Sequence, residues 1–152
     1  MKLLTTLNRE DALQVLELYR KFLAESRYAL EDFDANSIWH LLEQTLLQPS
    51  KFFIAYLKVD KKVIGFLVGS ISKRHFTTTQ YGMDLGQYVV KDFRGQGLSK
   101  QLTKAYEAWV KNCGVTLVYL GLSSGIETER AAKLYKKFGY ALVSQAFEKE
   151  IL

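Results

Sequence analysis

The chain has 152 residues, a length that predicts a single domain, residues 1–152, with a hydrophobic core of its own. Hydrophobic residues make up 48% of the sequence and proline occurs once, which is typical of an ordered globular protein. The single cysteine, Cys113, excludes an internal disulfide and a cysteine-based zinc site. Because no apolar run reaches membrane-spanning length and the N-terminus shows no secretion pattern, we expect a cytoplasmic protein that does not enter membranes.

The formal net charge of +5 raises the question of nucleic acid binding. The basic residues are spread along predicted helix faces rather than gathered in one block, so a solvated basic surface is the favoured interpretation and no nucleic acid partner is expected. The charge is nevertheless uneven. Residues 25–43 hold five acids and one base, a balance of −4, whereas residues 91–111 hold five bases and two acids, a balance of +3.

The first third of the chain predicts one strand and two helices. Residues 2–7 alternate weakly and predict a short opening strand. Asn8 is a favourable helix N-cap, and apolar residues at 3.6-residue spacing predict a helix from there to about Ser26. A second amphipathic helix is predicted from about Asn36, and Pro49 ends it.

The middle of the chain predicts a hairpin followed by a strand, a turn and a helix. Residues 51–58 and 63–72 predict two strands joined by a tight turn, and the polar, threonine-rich residues 73–83 predict a loop or a frayed hairpin end. An apolar strand over residues 84–90 then leads through a glycine-rich turn into a helix that ends near Asn112.

The last third predicts one more strand and helix before two closing strands. Residues 115–122 form an apolar run of strand length, and residues 128–138 predict a helix that stops at Gly139. Residues 140–144 and 147–152 predict the closing strands. The resulting order, βααβββαβαββ, predicts an α/β (α+β) fold with a mixed, mostly antiparallel central sheet flanked by helices.

The stretch from Asp84 to Lys104 carries the strongest functional signal, because it joins a strand to a helix through the basic turn Arg94-Gly95-Gln96-Gly97-Leu98-Ser99. Such a turn directs backbone N–H groups and the positive end of a helix dipole to one point, where phosphate binds. The turn lacks the lysine and serine or threonine of a P-loop and the spacing of a dinucleotide fingerprint.

Two motifs resemble those of one known family. The turn, read as Arg-x-x-Gly-x-Ser, resembles motif A (Arg/Gln-x-x-Gly-x-Gly/Ala) of the GNAT superfamily, the acetyl-CoA-dependent N-acetyltransferases. About thirty residues later, TERAAKLYKKFGY over residues 128–140 resembles motif B, N-x-R-A-x-x-L-Y-x-x-x-G-F. The predicted order of elements also matches the GNAT fold across essentially the whole chain.

The resemblance implies acetyl-CoA as the acyl donor and no metal ion. In the family, backbone groups of the motif A strand pair with the pantetheine arm and the turn holds the pyrophosphate. The corresponding residues here are Gln87, Tyr88 and Val89 for the arm and Arg94, Gly95, Gln96, Gly97, Leu98, Ser99 and Lys100 for the pyrophosphate. Ser99 departs from the motif but is small and keeps its N–H. Thr128 replaces an asparagine that contacts the cofactor in the family, so its contact stays open.

The resemblance also suggests two catalytic residues. Tyr135 matches a tyrosine that in many relatives lies near the cofactor sulfur, where a phenol can return a proton to the leaving thiolate. Asp84 is the nearest carboxylate to a place that the family uses for its general base; an ordinary strand-end aspartate and a base role for His75 both stay open. The position used for a glutamate base in some relatives is Ser123 here.

The resemblance therefore implies an N-acetyltransferase that acts on a primary amine. In the family, the first two helices and the loop between them wall the acceptor side, so the resemblance places the acidic segment there, which favours a cationic small molecule or a peptide amine as acceptor. The alternative is a catalytically weak acyl-CoA-binding or interaction module of the same fold, and the sequence leaves a homodimer open.

Overall fold

The computed structural model describes residues 1–152 and contains one five-stranded sheet and four helices. The elements are β1 Lys2–Leu4, α1 Arg9–Glu25, α2 Ala35–Leu47, β2 Phe52–Val59, β3 Lys62–Lys73, β4 Gln80–Val89, α3 Leu98–Asn112, β5 Val118–Tyr119 and α4 Thr128–Lys137, with a 3-10 turn at Lys91–Phe93 before α3. The strands lie in the order β1-β2-β3-β4-β5. All neighbours are antiparallel except β4 and β5, which are parallel. The mixed, mostly antiparallel sheet flanked by helices confirms the predicted fold class.

The sheet has a separate hydrophobic core on each face. One core packs α1 and α2 against side chains such as Tyr56, Phe66 and Val68, and the other packs α3 against the opposite face around Leu67. Because both faces are covered, eight consecutive residues of β3, 63–70, are buried. No helix of the chain has the length and apolar character needed to cross a membrane.

The N-terminal helices start where capping side chains allow. The side chain of Asn8 accepts a hydrogen bond from the Asp11 N–H (2.8 Å), which confirms the predicted start of α1. Asp34 caps α2 in the same way by accepting from the Ser37 N–H (3.0 Å), so α2 begins slightly earlier than its apolar pattern predicts.

The hairpin of β3 and β4 is longer than the sequence predicts. Residues 80–83, expected to lie in a loop or a frayed hairpin end, continue β4 and pair with residues 70–73. A side chain at Gly82 would collide with Tyr106 and Val110 of α3, so this glycine lets the helix approach the strand. A polar, threonine-rich composition is a poor indicator of a loop where a long partner strand is available.

The two predicted closing strands do not form. Residues 140–152 are in no strand, and apolar side chains there, such as those of Leu142 and Phe147, are exposed. Their alternating pattern favours a strand, but a strand needs a partner edge. The only neighbouring edge, β5, is two residues long rather than the predicted 115–122 and offers too short a ladder.

A β-bulge in β4 determines which side chains face the same way. Val68 pairs with Gly86 and the next residue, Gly69, pairs with Asp84, so Leu85 is an additional residue in β4. Side chains would otherwise alternate strictly between the two faces. The bulge therefore allows Asp84 and Gln87, three residues apart, both to lie on the side of the sheet that α3 covers.

Candidate active site

A cleft opens where β4 and β5 separate. The two strands pair only at Gly82 with Val118 and at Met83 with Tyr119. Beyond these pairs the strands diverge and leave a cleft of about 2340 Å³, which is lined by β4, the turn before α3, the loop after β5 and α4. Both sequence motifs therefore border one cavity.

The turn before α3 presents a row of free backbone donors to this cleft. The N–H groups of residues 95–100 donate no hydrogen bond to the rest of the chain. Gly95 (φ 83°) and Gly97 (φ 75°) are in the left-handed region, which bends the chain into the first turn of α3. Unpaired N–H groups at a helix N-terminus are an arrangement that binds anions, and phosphate binding at this turn stays a prediction.

The side chain of Arg94 is bound by two carboxylates and a backbone carbonyl. Its guanidinium donates to both carboxylate oxygens of Glu25 (2.6 and 2.8 Å), to Glu127 (3.4 Å) and to the Val89 carbonyl (2.8 Å). The ring of Tyr88 lies against the guanidinium, and the Tyr88 hydroxyl also donates to Glu25 (2.9 Å). Arg94 thus joins the end of α1 to the turn before α3 and to the start of α4.

A second guanidinium, which the sequence reasoning missed, lies at the turn. Arg130 of α4 is 3.3 Å from the point that a Cβ on Gly95 would occupy, and its charge has one close partner, Glu127 at 3.3 Å. Arg130 is part of motif B, so its presence was visible in the sequence, but its proximity to Gly95 depends on how α4 packs.

Two of the three β4 residues expected to meet the pantetheine arm offer backbone groups to the cleft. The Val90 N–H donates to the Ile64 carbonyl of β3 (2.9 Å), so the backbone of Tyr88 also faces β3. Gln87 and Val89 face the opposite way, into the gap between β4 and β5, although the Val89 carbonyl is bonded to Arg94. Tyr88 differs from the expectation because backbone groups alternate in direction along a strand.

Asp84 lies at the point where the two strands separate. Its Oδ1 accepts a hydrogen bond from the Gly121 N–H (2.9 Å) in the segment after β5. Burial disfavours the charged form and raises the pKa of Asp84 to about 6, against the lowering effect of the hydrogen bonds it accepts. At pH 7 this carboxyl group is ionised and is a stronger base than an ordinary aspartate.

Tyr135 extends from α4 across the cleft to β4. Its hydroxyl donates to Oε1 of Gln87 (3.3 Å). Burial raises the pKa of Tyr135 above its ordinary value, and the nearby negative charge of Asp84 raises the pKa further, so the phenol keeps its proton at neutral pH. A base candidate and an acid candidate, 51 positions apart in sequence, are therefore within electrostatic reach of each other.

A family model supplies the observation that decides the assignment. The model of the acetyltransferase (GNAT) family matches residues 12–140. The chain belongs to the GNAT acetyltransferase family. No curated protein matches the chain in sequence.

Solved N-acetyltransferase structures share the fold of this GNAT acetyltransferase at low sequence identity. Ribosomal-protein-alanine N-acetyltransferase from Brucella melitensis is 20% identical, with a TM-score of 0.72 over 99% of this chain and 100% of its own. AAC(6')-Iy in complex with a CoA-acetylneamine bisubstrate analogue is 17% identical, with a TM-score of 0.78 over 100% and 99% of the two chains. Glucosamine-6-phosphate N-acetyltransferase from Arabidopsis thaliana is 16% identical, with a TM-score of 0.73 over 99% of each chain.

Other candidate residues of the GNAT acetyltransferase lie outside the cleft. Thr128 is the first residue of α4 and is exposed, and it is not among the residues that line the cavity. His75 is exposed at the tip of the β3–β4 hairpin, where it contacts Phe76. Glu31 and Asp32 are exposed and do not line the cavity, whereas Arg27 and Tyr28 of the same loop do. Nowhere in the chain do three His, Cys, Asp or Glu side chains form a cluster that could hold a metal ion.

Proposed function

We propose that this GNAT acetyltransferase moves the acetyl group of acetyl-CoA to a primary amine. The observation that carries the proposal is the shared cleft, which is lined both by the turn with free N–H groups and by Asp84 and Tyr135. The pyrophosphate of acetyl-CoA would bind residues 95–100, and its pantetheine arm would lie between β4 and β5. The exposed backbone of Gln87 and the Val89 N–H would then pair with the arm as a neighbouring strand does.

The same arrangement supports a direct transfer. The amine nitrogen attacks the acetyl carbonyl carbon, an N–C bond forms and the C–S bond breaks. Asp84 takes the proton that the amine loses, and Tyr135 gives a proton to the departing sulfur. Solvent then returns the proton from Asp84 to Tyr135, so that the products are an amide and free CoA.

Asp84 and Tyr135 each have a pKa that suits their proposed part in the proton transfer. With a pKa of about 6, Asp84 is unprotonated at neutral pH and still a better base than an aspartate in water. The raised pKa of Tyr135 keeps its proton in place until negative charge develops on the sulfur. These two shifts in pKa arise mainly from burial in the same cleft.

Binding through the turn is tested with Gly97→Val. At this position a Cβ would meet no protein atom within 4 Å, so the new side chain would extend into the space proposed for phosphate. Calorimetry should show that acetyl-CoA binding is lost. Gly114→Val is the matched control, because Gly114 has nearly the same φ (77° against 75°) and equally open surroundings at the other end of α3. Equal affinity in the two variants would refute the phosphate site.

A catalytically weak acyl-CoA-binding module is the second candidate. It is supported by the exposed position of Thr128 and by Arg94, whose charge is paired with Glu25 rather than free for a phosphate. Thioester consumption with a panel of amines separates the two functions. An enzyme releases free CoA in proportion to amide formed, whereas a binding module gives a thermal shift with acetyl-CoA and no CoA release with any amine.

For the acceptor, we propose a cationic small molecule or a peptide amine. The support is the balance of −4 over residues 25–43, which contain the loop between α1 and α2 beside the cleft. Because Glu31 and Asp32 do not line the cavity, their influence would be a long-range attraction that salt screens.

A further inference from the structure

The side chain of Gln87 connects three elements at the centre of the cleft. Its Nε2 donates to the Ser99 hydroxyl (2.8 Å), and more weakly to the Ser99 carbonyl (3.3 Å) and the Thr103 hydroxyl (3.4 Å). Its Oε1 accepts from Tyr135 (3.3 Å), and this is the only hydrogen bond that the Tyr135 hydroxyl makes. One amide therefore links β4 to both α3 and α4.

The acceptors on α3 fix the orientation of this amide. A carbonyl oxygen can only accept, so the Ser99 carbonyl requires the nitrogen of Gln87 beside it. The oxygen must then face Tyr135, and the phenol must be the donor in that contact. If the amide were rotated by half a turn, two carbonyl oxygens would face each other and the contact with α3 would become repulsive.

We propose that Gln87 is a positioning residue that acts through Tyr135. By accepting the phenolic proton it holds the Tyr135 hydroxyl beside the β4 backbone proposed for the pantetheine arm. At 3.3 Å the contact is longer than a typical O–H···O hydrogen bond of about 2.7–2.8 Å. A thiolate, which carries a full charge, competes successfully for the same proton. Gln87 thus orients the proton without retaining it.

Ser99 has a specific part in this arrangement. It is the residue at which the turn departs from motif A, where the family favours glycine or alanine. Its hydroxyl supplies the shortest of the three contacts that orient Gln87. The serine at this position is therefore explained by its hydrogen bond with Gln87, which in turn contacts the proposed acid Tyr135.

This inference rests on the proposed acetyl transfer, and a double-mutant cycle tests it. Gln87→Met keeps the length of the side chain and removes all four contacts. In the otherwise unchanged protein, Gln87→Met should lower kcat by about tenfold and leave the Kd for acetyl-CoA within about twofold. In the Tyr135→Phe variant, which has no hydroxyl to position, the same substitution should have no further effect on kcat. A residue that only ties β4 to α3 would lower kcat by the same factor in both backgrounds.

Ser99→Ala provides the graded control. Alanine is usual at this position of the motif, so the N–H groups of the turn are kept and acetyl-CoA should bind as before. The loss of one of three contacts should lower kcat by about threefold, and it should add nothing to Gln87→Met. Thermal melts confirm that each variant is folded.

The outcomes separate the inference from the function on which it rests. Additive losses in kcat, or a raised Kd for acetyl-CoA at unchanged kcat, overturn the positioning role while acetyl transfer stands. A Tyr135→Phe variant with unchanged kcat overturns the acid role and the positioning role together. A chain that releases no CoA with any amine overturns the proposed function and, with it, this inference.

Discussion

The two walls of the cleft are built differently. On one wall, α3 buries five residues against β2, β3 and β4, namely Leu98, Leu102, Thr103, Tyr106 and Val110. On the other wall, α4 has no buried residue. It is held instead by polar contacts: Tyr135 donates to Gln87, Arg94 donates to Glu127 at the start of the helix, and just beyond its end Tyr140 donates to Glu107 (2.7 Å).

This difference separates stability from chemistry. The wall of β4 and α3 presents the turn before α3 and Asp84, so the residues proposed to bind acetyl-CoA and the proposed base lie on the side with the buried helix. The wall of α4 brings the acid candidate, Tyr135, to the cleft through contacts that contribute little to folding. Substitutions should therefore change stability on the first wall and turnover on the second. The expected exception is Asp84, which lies on the first wall but is the proposed base.

The largest expected effect on turnover comes from a substitution of Asp84. Asp84→Asn removes the base and should lower turnover by about 10²–10⁴-fold. In the parent protein kcat/KM should rise as pH increases through about 6, the pKa of Asp84, because the ionised form is the active one. The substitution should abolish this rise. A parent protein whose pH profile is flat between pH 5 and 7 would contradict the assignment.

The same substitution should stabilise the fold. The folded-state pKa of Asp84 is raised from 3.8 to about 6, so the native state binds this proton more tightly than the unfolded chain does, and stability falls as pH rises through that window. A shift of this size corresponds to about 3 kcal/mol in full, reduced to about 1–2 kcal/mol because the side chain is partly exposed. Asp84→Asn should show this gain in urea unfolding at pH 8 and no gain at pH 3. Asp32→Asn, at an exposed position away from the cleft, should leave the free energy of unfolding unchanged at both pH values.

A pair of leucine substitutions compares the two walls directly. Leu102→Ala on α3 removes a side chain with 0% exposure and should lower the free energy of unfolding by about 2–5 kcal/mol. Leu134→Ala on α4 removes a partly exposed side chain and should cost about 1 kcal/mol or less. Urea denaturation of both variants measures the difference. Equal losses would mean that α4 belongs to the core after all.

A smaller effect is expected from the ion pair that joins the end of α1 to the turn before α3. Arg94 donates two hydrogen bonds to Glu25 and lowers the pKa of that carboxyl group. A lowered folded-state pKa means that the contribution to stability is present above the ordinary pKa of 4.5 and is lost as pH falls through the folded-state value. Glu25→Gln should therefore lower stability by about 1 kcal/mol at pH 7 and match the parent protein near pH 3. Glu17→Gln, in an exposed pair with Arg20, should make no measurable difference at either pH.

The smallest effect concerns the acidic loop. Replacing Glu31 and Asp32 with their amides should raise the KM for a cationic amine by less than about threefold at low salt, and the difference should disappear at 0.5 M salt. Steady-state kinetics at two salt concentrations provide the measurement. An acceptor that is neutral or anionic, or a KM that ignores both the substitution and the salt, would remove the electrostatic argument for a cationic substrate.

Sequence reasoning performed best where local chemistry decides the structure. The cap at Asn8, the helical spacing of α3 and the stop of α4 before Gly139 are each signalled within a few residues. The shape of the turn before α3 is also local, since its two left-handed glycines and its position between a strand and a helix define it. These features required no knowledge of how distant segments pack.

Longer-range features escaped the same reasoning. The hydrogen bond between Gln87 and Tyr135 joins residues 48 positions apart, and the sequence near either residue does not indicate it. The backbone direction of Tyr88 depends on which edge of β4 pairs with β3. The predictions of strands over 140–144 and 147–152 were wrong for a related reason. An alternating pattern shows that a segment favours the strand conformation, but a strand also needs a neighbouring strand with which to form hydrogen bonds.

The row of free donors at residues 95–100 has a consequence for the substitutions that this site tolerates. Every amino acid except proline carries a backbone N–H, so the turn keeps its anion-binding property through most substitutions that preserve its conformation. The left-handed glycines are the positions where a side chain would strain or obstruct the turn, whereas a substitution at Gln96 would keep the backbone N–H. A site encoded in main-chain shape therefore depends on the conformation of the turn more than on the identity of most of its side chains.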